Sequence, residues 1–342
     1  MRMSEHLRRV LATAAVHHQP ISVSLELTHR CDFACRHCYI PDHGTTDGLA
    51  SARIRTLLDE LAAAGTLFLT LTGGEPLLRR DWREIARAAR ERAFALRILT
   101  NGGRIDDQAA DDIAALQAAV EVSVYSMDPL VFAAITRRDG SLWAVRRGVE
   151  LLRQRGVPVL LKVPVMAANA SGVAAVFAYA ESIGAECRAN PHIVHDKAGG
   201  LGPLAQRAGT EALRAFYRAR YPGSKPLPVP PPAPPDGPLC AAGTRYCNIT
   251  ATGEVLACNL LPNSGGNISQ HPFAQIWERS PFFGDLRALR RADLSPCGKC
   301  PRLAYCGRCH ASALVENGDL RGSWTWACEQ AALLEQIAAE PG

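Results

Sequence analysis

Between residues 21 and 190 the chain alternates short apolar runs with longer amphipathic ones, and this alternation constrains the fold more than any other feature. Strand-like runs occupy 21–28, 67–72, 95–100, 120–125 and 157–165, with a weaker sixth at 186–192. Helix-like segments at 52–64, 82–92, 108–117, 142–155 and 172–183 separate them. Strand-then-helix repetition makes a parallel sheet with right-handed crossovers. Six such units are too few to close an eight-stranded barrel. The expected fold class is therefore α/β: a partial (β/α)6 TIM-like barrel, with a cysteine-rich C-terminal domain discussed below. Functional groups in such a barrel collect at the C-terminal ends of the strands.

The 342 residues suffice for one large domain and a smaller one, and 47% hydrophobic with 21% charged residues is ordinary for a globular chain. A net charge of +5 is small for this length, and the arginines are spread over helical segments, so no nucleic-acid partner is expected. Residues 1–18 read as a short amphipathic helix whose charges rule out a signal peptide. No window approaches a membrane span, so the expected location is cytoplasmic with no membrane partner. Twelve cysteines are then unlikely to be disulfides, which cytosolic reductants disfavour. The segment 221–238, dominated by proline, reads as a semi-rigid linker, with a ligand for a proline-recognition module as the alternative. The expected organisation is an extension over 1–20, the barrel over 21–220, the linker over 221–238 and a cysteine-rich domain over 239–335.

Cys31-Asp-Phe-Ala-Cys35-Arg-His-Cys38-Tyr39 follows directly on the first strand-like run. An iron–sulfur cubane normally takes four thiolates, one per iron. Three cysteines on one loop leave the fourth iron without a protein ligand, open to a small molecule. That favours an enzyme over an electron relay. The competing reading is a zinc site completed by His37, although zinc sites usually combine a Cys-x2-Cys pair with distant ligands.

The spacing Cys-x3-Cys-x2-Cys followed by an aromatic resembles the signature of the radical S-adenosylmethionine (SAM) enzymes. In that family the open iron chelates the amino and carboxylate groups of SAM, and reductive cleavage gives methionine and a 5′-deoxyadenosyl radical. The resemblance makes Cys31, Cys35 and Cys38 the catalytic cluster ligands and puts His37 among the cofactor-binding positions. Thr72-Gly-Gly-Glu-Pro-Leu77, after the second strand, looks like the family's Gly-Gly-Glu element, which implies that Gly73, Gly74 and Glu75 bind the methionine amino group. Thr100-Asn-Gly102 matches a common family tripeptide, and a plain Asn-Gly turn explains it as well. Ser126 matches a cofactor-contacting serine. Lys162, in an apolar run, is either a cofactor carboxylate contact or a side chain snorkelling to the barrel rim.

In the last third, Cys240-x12-Gly253-x4-Cys258 precedes Cys297-x2-Cys300-x5-Cys306-x2-Cys309 and then Cys328. This resembles the SPASM domain, an extension of radical enzymes that modify peptides and proteins. The resemblance assigns Cys240, Cys247, Cys258 and Cys309 to a nearer auxiliary 4Fe–4S cluster, and Cys297, Cys300, Cys306 and Cys328 to an outer one. With the SAM-binding cluster, that makes three. The family usually has three residues where Cys306 and Cys309 are separated by two. A two-zinc ribbon is the alternative for such Cys-x2-Cys pairs. Cys187 reads as a buried structural thiol. His192 and His195, near the expected barrel mouth, are packing or surface histidines, or acid–base groups for a substrate.

SPASM-bearing enzymes include sulfatase maturases, the pyrroloquinoline quinone peptide cyclase, cross-linking peptide maturases and some haem-pathway enzymes. Sulfatase maturases carry an aspartate base at the position of Asn259, which has no carboxylate, so formylglycine formation is disfavoured. Tyr125-Ser-Met-Asp-Pro and Ile135-Thr-Arg-Arg-Asp-Gly-Ser141 look more like the peptide-maturase and haem-pathway branches. The resulting expectation is a maturase that takes hydrogen from a ribosomally made precursor peptide and closes a C–C or thioether cross-link. An external reductant such as flavodoxin or ferredoxin would supply the first electron. The roughly twenty residues before the first strand are too few for a leader-binding domain, so a separate leader-binding protein is expected, or none. The alternatives are oxidation or decarboxylation of a small metabolite such as a porphyrin propionate or sugar, and an iron–sulfur redox sensor or electron carrier.

Overall fold

All six strand-like runs form strands, and their apolar and polar positions sort onto opposite faces. The computed structural model describes residues 5–44, 48–220 and 239–340. In it β1 (Ser22–Thr28), β2 (Phe68–Gly73), β3 (Ala95–Thr100), β4 (Ala119–Ser123), β5 (Val159–Pro164) and β6 (Glu186–Asn190) lie side by side in chain order, each neighbouring pair parallel. Helix α1 (Glu5–Val16) precedes them. The crossovers are α2 (Ser51–Ala63), α3 (Trp82–Glu91), α4 (Asp107–Ala115), the pair α5 (Pro129–Thr136) and α6 (Ser141–Gln154), and α7 (Val173–Ser182); α8 (Thr210–Arg220) follows β6.

Period-two alternation sends Val23, Leu25, Leu69, Leu71, Ile98, Val122 and Leu161 into the helix-facing core, against Ile54, Leu57, Leu61, Ile85 and Val149. Each Leu or Ile so buried contributes about 2 kcal/mol relative to exposure. The opposite face carries Glu26, Thr72, Glu121, Ser123 and Lys162, and it lines the barrel interior.

The helix α5 has no counterpart among the predicted segments, although its start is written in the sequence. Pro129 occupies the first turn, and the Asp128 carboxylate accepts the N–H groups of Leu130 and Val131 at 2.8 and 3.3 Å.

The parallel sheet does not stop at the barrel. Strand β7 (Tyr246–Ile249) adds parallel to the free edge of β1, and β8 (Glu254–Leu256) and β9 (Ser264–Asn267) continue antiparallel, giving the order β6-β5-β4-β3-β2-β1-β7-β8-β9. Polar bonds fix the new seam: Asn248 Nδ2 donates to Glu26 Oε1 at 2.8 Å, and Tyr246 Oη to Ser24 Oγ at 3.0 Å. Glu26 also pairs with Lys197 and lies 3.1 Å from His29 Nε2, so this buried carboxylate is compensated. Helices α9 (Phe273–Arg279) and α10 (Pro281–Ala288) bury Phe273, Trp277 and Phe283. The helices α11 (His310–Asn317) and α12 (Thr325–Ala339) return to the barrel, where Arg207 donates bidentately to Glu316 at 2.7 and 2.8 Å. The proline-rich segment 221–238 lies outside the described residues. Among the described residues no helix is long and apolar enough to cross a membrane.

Candidate active site

The loop after β1 is held from three directions. Ala34 and Arg36 donate their N–H groups to Thr136 O and Ile135 O, the last carbonyls of α5. The Asp32 carboxylate accepts Asn101 Nδ2 at 2.8 Å and Arg104 Nε at 2.7 Å, and Arg138 Nη1 donates to the Asp32 carbonyl at 2.8 Å. So held, Cys31, Cys35 and Cys38 line one cavity of about 270 Å³ together with His37, Gly73, Gly74, Asn101, Ser123, Tyr125 and Lys162. Tyr125 Oη lies 3.6 Å from Cys35 Sγ, and its ring meets His37 edge-on at 5.1 Å. Burial pushes the thiols of Cys31 and Cys35 up to about 12. A metal centre would displace those protons on binding.

The donor set fits an open iron–sulfur cluster: three thiols converge on one cavity, and the buried His37 Nδ1 has no partner among the described residues. Among those residues no three cysteine, histidine or carboxylate side chains lie close enough to share a single ion, whereas one iron per thiolate needs a wider spacing.

The strand-end motifs divide. Gly73 and Gly74 reach the cavity, and both are sterically required: a Cβ would stand 2.2 Å from Thr28 O at Gly73, which has φ +134°, and 2.3 Å from Arg30 O at Gly74. Glu75 turns away from the cavity. Its fully buried carboxylate accepts Thr100 Oγ1 at 2.8 and 2.9 Å, Asn101 N at 2.7 Å and Leu77 N at 3.0 Å. Burial raises it to about 7 against those hydrogen bonds. In this structure Glu75 joins the ends of β2 and β3 through its side chain.

Ser126 is also turned away; its buried Oγ accepts the Asp128 N–H at 3.0 Å, just before α5, while Ser123 and Tyr125 reach the cavity instead. Lys162 is half-exposed within the barrel, its Nζ 3.1 Å from Glu121 Oε2, and Arg97 reaches the other oxygen of Glu121 at 3.2 Å. Tyr125, Asp32, Glu121 and Arg97 were not singled out from the sequence. Parity with Ser123 along β4 would have found Glu121 and Tyr125, but nothing local marks Asp32.

A second cavity, about 670 Å³, shares Glu121, Lys162, Pro164 and His192 with the first and adds Arg97, Arg188, Tyr305, Trp326 and Gln330. Its wall therefore comes from the barrel and from the C-terminal unit. His192 packs edge-on against Trp324 and Trp326, and burial lowers it to about 4, helped by Arg207. His195 is fully buried, with Nδ1 2.8 Å from Asp196 O. Cys187 is half-buried rather than buried and lines a separate cavity beside α7 and α8. Cys297, Cys300, Cys306 and Cys328 share a cavity of about 170 Å³.

A partial parallel barrel with three cysteines on its first loop, extended by a cysteine-rich unit, defines a class. Residues 25–168 match the Radical SAM superfamily, residues 240–301 match the SPASM iron–sulfur cluster-binding domain, and the chain is a radical SAM enzyme with a C-terminal SPASM domain. Membership implies iron–sulfur clusters and SAM binding. Among curated proteins it is 29% identical over 336 residues to the PqqA peptide cyclase of Xanthomonas campestris pv. campestris (strain 8004), covering 88% of this chain and 84% of that one. It is 25% identical over 333 residues to the AdoMet-dependent heme synthase of Methanosarcina barkeri, covering 89% and 95%. Among solved structures, Streptococcus suis SuiB bound to the precursor peptide SuiA superposes with a TM-score of 0.72 at 15% identity, covering 95% of this chain and 80% of that one.

Proposed function

We propose that the chain is a maturase for a ribosomally made precursor peptide. The observation that carries this reading is the 670 Å³ cavity walled by both units and opening beside the cysteine loop, which has room for a short stretch of peptide between the barrel and the C-terminal unit. The name of the PqqA peptide cyclase supports it. On this reading Cys31, Cys35 and Cys38 hold the first cluster, the backbone of Gly73 and Gly74 and the side chains of His37 and Lys162 face the SAM, and the eight late cysteines serve two auxiliary clusters. Bound there, cluster and SAM supply a 5′-deoxyadenosyl radical when an external reductant delivers an electron. The chain's own contribution is to place a substrate hydrogen near that cavity and keep water out, with Tyr305, Trp326 and His192 as the apolar wall. Arg97, Lys162 and Arg188 make the cavity cationic against Glu121, so an acidic side chain of the peptide is the group they would hold.

The rival reading, a carboxylate-bearing metabolite such as a porphyrin, draws on the heme synthase relative and meets the same cations. Binding separates the two. Tagged precursor peptide should retain the full-length chain, and Arg188→Gln should weaken that retention. Retention of a porphyrin with none of the peptide would sink the maturase reading. Tight leader binding by the isolated chain would argue against a separate leader-binding partner.

A further inference from the structure

Each sulfur of the first cysteine loop has a polar neighbour. Cys31 Sγ accepts the Phe33 N–H at 3.4 Å and lies 3.9 Å from Asn101 Nδ2. Cys38 Sγ stands 3.5 Å from His43 Nε2, and Cys35 Sγ 3.6 Å from Tyr125 Oη. Phe33 and His43 belong to the loop or its continuation, and Asn101 Nδ2 has a nearer acceptor in Asp32 at 2.8 Å. Tyr125 is different, because the fold brings it to Cys35 across 90 residues.

The surroundings of Tyr125 fix where its hydroxyl points. Its carbonyl accepts Asn169 Nδ2 at 2.7 Å, and the buried Asn169 also donates to Pro164 O at 2.9 Å and accepts the Met166 N–H at 2.7 Å. The backbone at the end of β4 is thereby tied to the segment after β5. The ring meets His37 edge-on at 5.1 Å and Phe132 at 5.4 Å. Tyr125 is 4% exposed. For packing alone phenylalanine would serve, since a buried hydroxyl costs desolvation unless it finds a partner. Cys35 Sγ supplies one.

The direction of this hydrogen bond follows from the chemistry of the sulfur. A thiol can donate or accept, whereas a thiolate bound to iron has no proton and can only accept. With iron at Cys35, the Tyr125 O–H is the donor. Such a charge-assisted bond in a dry site is stronger than a neutral one. It strengthens again when the cluster gains an electron, because the sulfurs then carry more negative charge. Hydrogen bonds to the sulfurs are among the determinants of a cluster's reduction potential.

We propose that Tyr125 is a positioning residue for the radical chemistry: acting through Cys35, its hydroxyl makes the first cluster easier to reduce. The inference rests on the cluster reading given above. It gives the end of β4 a share in setting the potential that the external reductant must meet.

The test is a potentiometric titration of the full iron-loaded chain, followed by paramagnetic resonance. The signal that changes when SAM is added marks the first cluster. Tyr125→Phe removes only the hydroxyl and should retain about 12 irons per chain. At a fixed potential, the reduced-to-oxidised ratio of the SAM-responsive cluster should fall about tenfold, a displacement of about 59 mV to more negative potential. The auxiliary signals should keep their midpoints. A fluorinated tyrosine placed at position 125, whose more acidic hydroxyl is a stronger donor, should move the same midpoint in the positive direction. A merely structural role gives no such opposed pair. An unmoved midpoint in Tyr125→Phe, the same displacement with both substitutions, or loss of about 4 irons would overturn the proposal. Failure of the cluster reading itself looks different: the unsubstituted chain would then show no signal that responds to SAM.

Discussion

Arg79 shows how a single side chain sets the geometry beneath the cysteine loop. It is 3% exposed; Nη1 donates to Leu27 O at 2.9 Å and Nε to Asp81 Oδ1 at 2.7 Å, so it ties the end of β1 to the start of α3. Replacing it in Arg79→Leu should lower stability by about 2 kcal/mol, read by denaturant titration under anaerobic conditions. The hydrogen bond from Arg79 holds Asp81 at about 2, against the opposing effect of burial. A depressed carboxyl stabilises fully above its unfolded value near 4 and loses that contribution as pH falls toward 2, so the gap between the two proteins should narrow in that window. Glu75 makes a second residue-scale case. Glu75→Gln puts an amide against the donors of Thr100, Asn101 and Leu77, and about 2 kcal/mol of stability should be lost. Because the carboxylate faces away from the cavity, the dissociation constant for SAM in the folded fraction should change little; a loss of a hundredfold would restore the contact expected from the motif.

At the scale of elements, the six barrel strands and five of the crossover helices were legible because each has several residues of one clear period. Helix α5 and strand β7, at eight and four residues, are too short for that signal. Finding β7 also requires knowing that Tyr246 meets Ser24, a contact across 222 residues. The cysteine tally was legible as a number, whereas a ligand set depends on which face of a strand each thiol takes, which counting ignores. The Gly73–Gly74 cradle could be read from the motif, but the direction of the Glu75 carboxylate depended on donors from the next strand. The clamp between α11 and the barrel was invisible for the same reason. Arg207 pairs with Glu316 and lies over Trp324 and Trp326 at 5.6 and 5.2 Å. Arg207→Ala should loosen this docking by about 3 kcal/mol. Hydrogen exchange should then accelerate over α11 and α12 while β1 to β5 stay protected; uniform exchange across the chain would contradict a local clamp.

For the whole molecule, the shared sheet makes barrel and SPASM unit one framework, with β7 bonded to the strand that carries the first cysteine loop. The cavity between them reaches that loop on one side and Tyr305, beside Cys306, on the other. A peptide held there would stand between the radical source and groups able to accept an electron. The most direct test is mass spectrometry after anaerobic incubation of the iron-loaded chain with SAM, a strong reductant and a candidate precursor peptide, sought among the small reading frames beside its gene. The expected result is 5′-deoxyadenosine together with a peptide lighter by two hydrogen atoms, both lost in the Cys31→Ala, Cys35→Ala, Cys38→Ala variant. An unaltered peptide, with 5′-deoxyadenosine formed only when a porphyrin or sugar is supplied, would contradict the maturase assignment.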